Sequence, residues 1–281
     1  MNFTEEQLML KDMVRDFAEN EIRPIAAEID ETCEFPEKTV QKMGELGLLG
    51  IPFPEEYGGA GMDNVSYIIA VEEISRVCGS HGITLAAHIS LGCYPIYLFG
   101  TEEQKQKYLT PLTQGDGLGS FGLTEPNAGS DAGGTQTTAV LDGDHYILNG
   151  SKQFITNAAY CRNVVCTAVT DKVDGKKKIS SFIVERGTTG FSIGKKEDKL
   201  GVRGSDTCML IFEDCMVPKE NLLGKEGEGF KQFLTILDGG RISIGALALG
   251  IAQGAYEEAV KYAKERQAFG KSIGQLQAIQ F

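Results

Sequence analysis

The chain has 281 residues, 42% of them hydrophobic and 23% charged, so it can bury a sizeable core in one large domain or in two to three smaller ones. Its formal net charge of −12 argues against a sequence-independent grip on nucleic acid, because that grip depends on clustered Lys and Arg. The composition predicts a globular protein without a nucleic-acid partner.

The cysteines and the N-terminus favour a cytoplasmic location. The seven cysteines are scattered and contain no CxxC pair, which predicts reduced thiols and no metal site. The start, MNFTEEQLML, has acids where a signal peptide needs a basic segment. The most apolar run, 242–252, is interrupted by Ser and Gly and is shorter than the roughly 20 residues that span a bilayer. We therefore predict no export and no membrane span.

Residues 1–118 are predicted to form an N-terminal helical domain. From 4 to about 30, apolar residues recur every three to four positions, as on one face of a helix. The letters TEEQ occur at 4–7 and again at 101–104, and each copy is a capping box that marks a helix start. Further helices are predicted at 36–46, 64–78 and 83–99.

Residues 119–226 are predicted to form a middle β domain. Short β-branched or aromatic runs alternate there with turn letters such as DGD, NGS and DGKKK. The predicted strands are 137–141, 145–148, 153–156, 164–170, 179–185 and 208–212.

Residues 227–281 are predicted to begin a C-terminal helical domain. The helical period returns from 229 as one extended helix, and the small residues from Gly245 to Gly254 would let another helix pack closely. Phe281 closes the chain inside an apolar stretch that lacks a cap, and the long helix lacks a partner. We expect the chain to be the front part of a longer protein.

Several catalytic and nucleotide-binding motifs are absent from the sequence. GKS at 270–272 lacks the first glycine of a P-loop, the glycines at 115, 117 and 119 are not enclosed by a strand and a crossover helix as in a Rossmann fingerprint, and none of the three histidines lies in HExxH. His81 and His88 stand seven apart, and we interpret them as ordinary buried or capping histidines. Any chemistry must then come from a bound cofactor or from residues outside this chain.

Five motifs follow one another along the chain, namely FGLTEPNAGSDAGG at 121–134, NGSKQFITN at 149–157, LGVRGSDT at 200–207, ILDGGR at 236–241 and ERQAFGKSIGQLQAIQF at 265–281. In this unbroken order they resemble the acyl-CoA dehydrogenase family, most closely its short-chain, butyryl-CoA type bacterial members. The resemblance implies an α+β multi-domain fold with an N-terminal all-α domain, a middle antiparallel β-barrel or sandwich and the start of a C-terminal helical bundle.

The resemblance implies an FAD site between the β domain and the helical domains. Gly129 would let the chain pass close to the phosphates, and Ser130 with backbone N–H groups would donate to them. Thr156 would hydrogen-bond the reacting edge of the flavin, whereas Phe154 is equally open to a core interpretation. The implied FAD contacts are Phe121, Leu123, Thr124, Gly129, Ser130, Phe154, Ile155 and Thr156, together with Arg266, Phe269 and Gln277, which would reach the FAD of a neighbouring subunit.

The resemblance also implies a substrate and partners. Ser130, Asp238 and Arg241 would contact the acyl-CoA, since an arginine suits an anionic carrier, although Asp238 could instead cap the long helix. The implied reaction is α,β-dehydrogenation of a short-chain acyl-CoA, or the reverse reduction of an enoyl-CoA, in fatty acid metabolism. Electrons would be exchanged with an electron-transferring flavoprotein. The shared cofactor implies a homo-oligomer, a dimer of dimers. The alternative interpretation of Arg266, Phe269 and Gln277 is a basic helix end followed by a turn at Gly270.

No catalytic base is identified in the sequence. In most family members the base is a Glu in the last part of the chain, which would lie about a hundred residues beyond Phe281. A minority place it just before the arginine, where this chain has Gly240, and glycine has no side chain. The alternatives left open are an acyl-CoA oxidase or flavin monooxygenase on the same fold, and a non-catalytic truncated member.

Overall fold

The computed structural model describes residues 3–281, and its helices come first in the chain, then a sheet, then one long helix. Wider π-helical turns at Ala18–Ile22, His88–Cys93 and Lys105–Leu109 connect helices without a break. The N-terminal helices are α1 (Glu5–Phe17), α2 (Arg23–Thr32), α3 (Glu37–Glu45), α4 (Asn64–Val77), α5 (Gly79–Ala87), α6 (Tyr94–Phe99), α7 (Glu102–Gln104) and α8 (Thr110–Thr113).

Both predicted capping boxes are confirmed. The Thr4 hydroxyl accepts from the Gln7 N–H at 3.2 Å, while the Gln7 side chain accepts from the Thr4 N–H at 3.1 Å, and Thr101 with Gln104 repeats the arrangement. The start predicted at 83 was wrong, since the helix begins at Gly79. Cys78 is extended, with φ −151°, and its carbonyl accepts a hydrogen bond from the Gly82 N–H. Gly79 and Gly82 therefore lie inside the first turn of the helix.

Two buried histidines lie in the helical core. His81 Nε2 is 2.7 Å from the Thr39 hydroxyl, and His88 Nδ1 accepts from the Gly119 N–H at 3.1 Å. Both residues are fully buried, and burial lowers the pKa of each to about 4. The interpretation of this pair as ordinary buried histidines is confirmed.

The strands of the sheet are β1 (Leu118–Gly122), β2 (Thr138–Asp142), β3 (His145–Thr156), β4 (Cys161–Val173), β5 (Lys176–Glu185), β6 (Phe191–Lys196), β7 (Thr207–Pro218) and β8 (Leu222–Leu223). The sheet places β1 beside β4 and otherwise runs in the order β6-β7-β3-β2-β4-β5-β8. Most neighbours are antiparallel, while β1 and β2 each pair with β4 in parallel.

The prediction of separate strands at 145–148 and 153–156 was wrong. The letters NGS between them do not turn the chain, because β3 stays paired with β7 on both sides and only the register shifts. Gly150 accommodates that shift with φ +147°, and a Cβ there would lie 2.5 Å from Thr137 Oγ1. One strand therefore spans both predicted runs.

The predicted long helix is confirmed as α9 (Gly229–Glu265). A Cβ at Gly254 would lie 2.0 Å from the Arg76 carbonyl oxygen of α4, and one at Gly250 would lie 2.3 Å from that of Glu72. The prediction that small residues permit close helix packing is confirmed. After α9, the hairpin β9 (Gln267–Ala268) and β10 (Lys271–Ser272) turns at Gly270, and α10 (Gln277–Gln280) follows.

A buried cation joins three helices. The Arg76 side chain on α4 is 6% exposed and binds Glu19, Glu257 at 2.7 Å and Glu73 at 3.4 Å. Glu73 in turn accepts two hydrogen bonds from Arg15 at 2.9 Å. α1 and α9 are therefore held to α4 by charge as well as by apolar packing.

Two helical stretches, Gly79–Phe99 and Gly229–Glu265, are long and apolar enough to cross a membrane. The core helix of a globular protein meets the same criteria, and 67% of the apolar window in the first stretch is buried inside this fold. The Ser and Gly residues of the run 242–252, which were expected to interrupt an apolar segment, lie inside the continuous helix α9. The absence of a membrane span stays a prediction.

Candidate active site

A cavity of about 170 Å³ lies where β1 and the end of β3 face the helices, and we call it the wall cavity. Six residues predicted to contact FAD line it, namely Phe121, Leu123, Thr124, Phe154, Ile155 and Thr156. The structure therefore brings two distant sequence motifs to one surface. The other lining residues are Ala87, Leu91, Ser120 and Leu237.

A bulge in β3 shapes one side of the wall cavity. The pairing of β3 with β7 shifts register between Lys152 and Ile155, and Phe154 adopts φ +60°. That conformation is strained for a bulky residue, and Phe154 is 60% exposed. The Gln153 N–H donates to the Thr124 carbonyl at 2.8 Å, so the bulge is tied directly to the other wall segment.

The long helix supports the same wall. Phe121 stacks on Phe233 of α9 with ring centroids 3.9 Å apart and an interplanar angle of 20°. Phe233 is buried, so the stack fixes the end of β1 against α9. The wall is thus held by both the sheet and the helix.

Ser120 was missed by the sequence reasoning. It is 2% exposed and lines the wall cavity, and its hydroxyl has no hydrogen-bond partner within residues 3–281. Since buried hydroxyls are nearly always hydrogen-bonded, this group is suited to a polar ligand atom. Its only sequence signal is its place in LGSFG, one residue before the glycine-rich motif.

A second cavity of about 320 Å³, the adjoining cavity, shares Ala87, Leu91, Thr156 and Leu237 with the first. Its other lining residues are Ile83, Ser90, Gly240, Arg241 and Ile244. None of the residues lining either cavity is a carboxylate, cysteine or histidine. The two linings therefore offer no group that would accept a proton at neutral pH.

Asp238 and Arg241 form an ion pair on α9, with side chains 70% and 74% exposed. Asp238 lies inside the helix rather than at its start, so the alternative that it caps α9 was wrong. Arg241 lies at the rim of the adjoining cavity, and Asp238 does not line it.

Gly129 and Ser130 lie on an exposed loop outside both linings. A Cβ at Gly129 would meet nothing within 4 Å, so no internal contact requires glycine there. Space beside the loop is therefore open to a ligand, and the predicted phosphate contacts stay a prediction.

Arg266, Phe269 and Gln277 follow α9 in the chain and line neither cavity. Phe269 is 91% exposed, and Gly270 beside it has φ +75° in the hairpin turn. The expected turn at Gly270 is confirmed, while contact with a neighbouring subunit stays a prediction.

Known proteins match the chain over its whole length. Residues 4–116, 120–215 and 227–281 match the family models described as acyl-CoA dehydrogenase N-terminal, middle and C-terminal domains. The short-chain specific acyl-CoA dehydrogenase of Clostridium acetobutylicum is 59% identical over 278 residues, covering 99% of this chain and 73% of that protein. The chain belongs to the acyl-CoA dehydrogenase family.

Solved structures show the acyl-CoA dehydrogenase fold. Butyryl-CoA dehydrogenase from Megasphaera elsdenii superimposes with a TM-score of 0.96 at 47% identity, covering 100% of this chain and 74% of that one. An acyl-CoA dehydrogenase from Bacillus anthracis, complexed with FAD, superimposes with a TM-score of 0.93 at 44% identity. The match covers 99% of this chain and 48% of that one. The predicted family and fold class are confirmed, as is membership of an oxidoreductase family.

Proposed function

We propose that this acyl-CoA dehydrogenase binds FAD against the wall cavity and the acyl group of a short-chain acyl-CoA in the adjoining cavity. The shared lining carries this proposal, because Thr156 and Leu237 border both spaces. A ring in one cavity and an acyl chain in the other would meet there. The reaction is α,β-dehydrogenation of the thioester, or its reverse.

The residues of this chain fit FAD through a flat apolar wall and a few polar groups. Phe121 and Leu123 exclude water, while the orphaned Ser120 hydroxyl and Thr156 can bond polar ring atoms. Bound FAD supplies the two-electron acceptor that protein side chains lack. The chain itself therefore contributes binding, orientation and a dry surface.

The finer assignments come from the family resemblance. A short acyl chain is supported by the names of the relatives and by the apolar lining of the adjoining cavity. An electron-transferring flavoprotein as redox partner and a dimer of dimers follow from the family alone. We include both in the proposal on that basis.

A single substitution at Gly240 tests the reaction. A Cβ there would lie 3.5 Å from Leu91 Cδ2, so a side chain can extend along the adjoining cavity. With FAD bound, the 281-residue chain should leave the flavin absorbance unchanged on addition of butyryl-CoA, because neither lining offers a proton acceptor. Gly240→Glu should bleach it anaerobically, whereas the matched Gly240→Gln should not.

The same samples separate the alternatives. A protein that takes up no FAD would contradict the proposed function. Peroxide formation in air by the bleached Gly240→Glu variant would favour the oxidase or monooxygenase alternative. Bleaching of the unsubstituted chain would show that a proton acceptor exists outside the linings.

Arg241 is expected to recognise the phosphates of the carrier. Arg241→Gln should weaken binding of butyryl-CoA about tenfold, since charge-assisted hydrogen bonds to phosphate contribute about 1.5 to 3 kcal/mol. Calorimetric titration with butyryl-pantetheine, which lacks the nucleotide phosphates, supplies the control. Equal losses for both ligands would contradict a phosphate contact.

A further inference from the structure

A buried ion pair lies behind the wall cavity. Lys152 Nζ on β3 is 2.7 Å from Glu125 Oε1, and the two side chains are 0% and 5% exposed. The ammonium also donates to Thr167 Oγ1 at 3.0 Å and to the Leu123 carbonyl at 3.3 Å. All three of its hydrogens therefore have an acceptor.

Glu125 extends this contact to the glycine-rich loop. Its carboxylate accepts from the backbone N–H groups of Gln136 at 2.6 Å and Thr137 at 3.1 Å. Its own backbone pairs with Ala128 through hydrogen bonds of 2.9 and 3.1 Å. Glu125 thus holds one end of the loop 126–135, which carries Gly129 and Ser130, through its backbone and the other end through its carboxylate.

The pair also fixes the wall itself. The carbonyl of Leu123 accepts from Lys152, and the carbonyl of Thr124 accepts from the N–H of Gln153 at 2.8 Å. Two consecutive wall carbonyls are therefore bound by two consecutive residues of β3. Leu123 and Thr124 line the cavity, whereas Lys152 and Glu125 do not.

Stability alone does not explain a pair at this depth. Burial lowers the pKa of Lys152, and Glu125 opposes that shift. Burial would raise the pKa of Glu125, but attraction to Lys152 and the hydrogen bonds lower it overall. A well-packed apolar pair of similar volume is often as stable as a buried ion pair, so stability is a weak reason for two charges at this position.

We infer that the Lys152–Glu125 pair positions the FAD site, by fixing the Leu123 carbonyl and both ends of the loop 126–135 before the cofactor binds. The inference rests on the proposed function, and Lys152 and Glu125 are positioning residues in it. Thr167 supports the same ammonium from β4 without touching the wall or the loop.

The test compares Lys152→Met, the double variant Lys152→Met/Glu125→Gln and the control Thr167→Val. Lys152→Met should bind FAD about tenfold more weakly, because a charge-assisted contact that fixes the wall is lost. In the cofactor-free protein, the amide hydrogens of Gln136 and Thr137 should exchange faster. Thr167→Val, which keeps the contacts of the ammonium with Leu123 and Glu125, should change the FAD affinity and these exchange rates less than Lys152→Met does.

The double variant separates positioning from folding. Removal of both charges should recover much of the stability that Lys152→Met loses, while FAD affinity stays about tenfold lower. A double variant that recovers both properties would overturn the inference. Failure of the original chain to bind FAD would contradict the proposed function. Amide exchange at Gln136 and Thr137 that is the same in Lys152→Met as in the original chain would overturn the inference, whether or not FAD binds.

Discussion

Acidification from pH 7 to pH 4.5 is expected to lower the free energy of unfolding by about 2 kcal/mol for each of His81 and His88. Burial lowers the pKa of each histidine from 6.5 to about 4 in the folded chain. Between those values the unfolded chain binds more protons than the folded one. The stabilisation is therefore complete above pH 6.5 and is lost as the pH falls towards 4.

Urea unfolding at a series of pH values measures this loss. In His88→Gln the fall in stability between pH 6.5 and 4.5 should be about 2 kcal/mol smaller, because one titrating group is gone. Glutamine can still accept the hydrogen bond from Gly119. His145→Gln, at the less buried start of β3, is the matched control. If the free energy of unfolding falls equally with pH in both variants, the loss does not come from the buried His88.

Gly254→Ala is expected to lower the free energy of unfolding by about 3 kcal/mol. The added Cβ would lie 2.0 Å from the Arg76 carbonyl oxygen. That oxygen belongs to the backbone of α4, so it cannot move aside as a flexible side chain would. α9 would have to shift away from α4, which loses apolar packing and strains the ion pair between Arg76 and Glu257.

The same substitution at Gly245 supplies the control. Gly245 lies in the same helix, and a Cβ there would meet nothing within 4 Å. Gly245→Ala should raise the free energy of unfolding by about 0.5 to 1 kcal/mol, because alanine favours helix more than glycine does. Chemical denaturation should thus give changes of opposite sign in the free energy of unfolding for the two variants. A Gly254→Ala variant more stable than the original chain would contradict the close packing of α9 against α4.

Local sequence signals predicted much of the fold. Each TEEQ box caps a helix, since a capping box needs only residues within one turn. The helical period similarly predicted α9 over its full length. β1 was missed because LGSFG has two glycines and little β propensity, and its pairing with β4 depends on distant residues.

The candidate site was predicted only in part. The motifs at 121–124 and 154–156 indicated six residues of the wall cavity, but not that Ser120 completes its lining. The Lys152–Glu125 pair joins residues 27 apart in sequence. The alternation of apolar and polar residues along β3 does not indicate which acidic residue pairs with a buried lysine. Such contacts arise only once the sheet has formed.

The contact between Gly92 and Gly119 sets the spacing of helix and sheet beside the wall cavity. A Cβ on Gly92 would lie 2.6 Å from Gly119 Cα, so the π-helical turn His88–Cys93 and β1 touch backbone to backbone. Leu91 and Ser120, the chain neighbours of these glycines, line the cavity. Any side chain at position 92 or 119 would therefore have to push the turn away from β1, and it would change the distance across the cavity between Leu91 and Ser120.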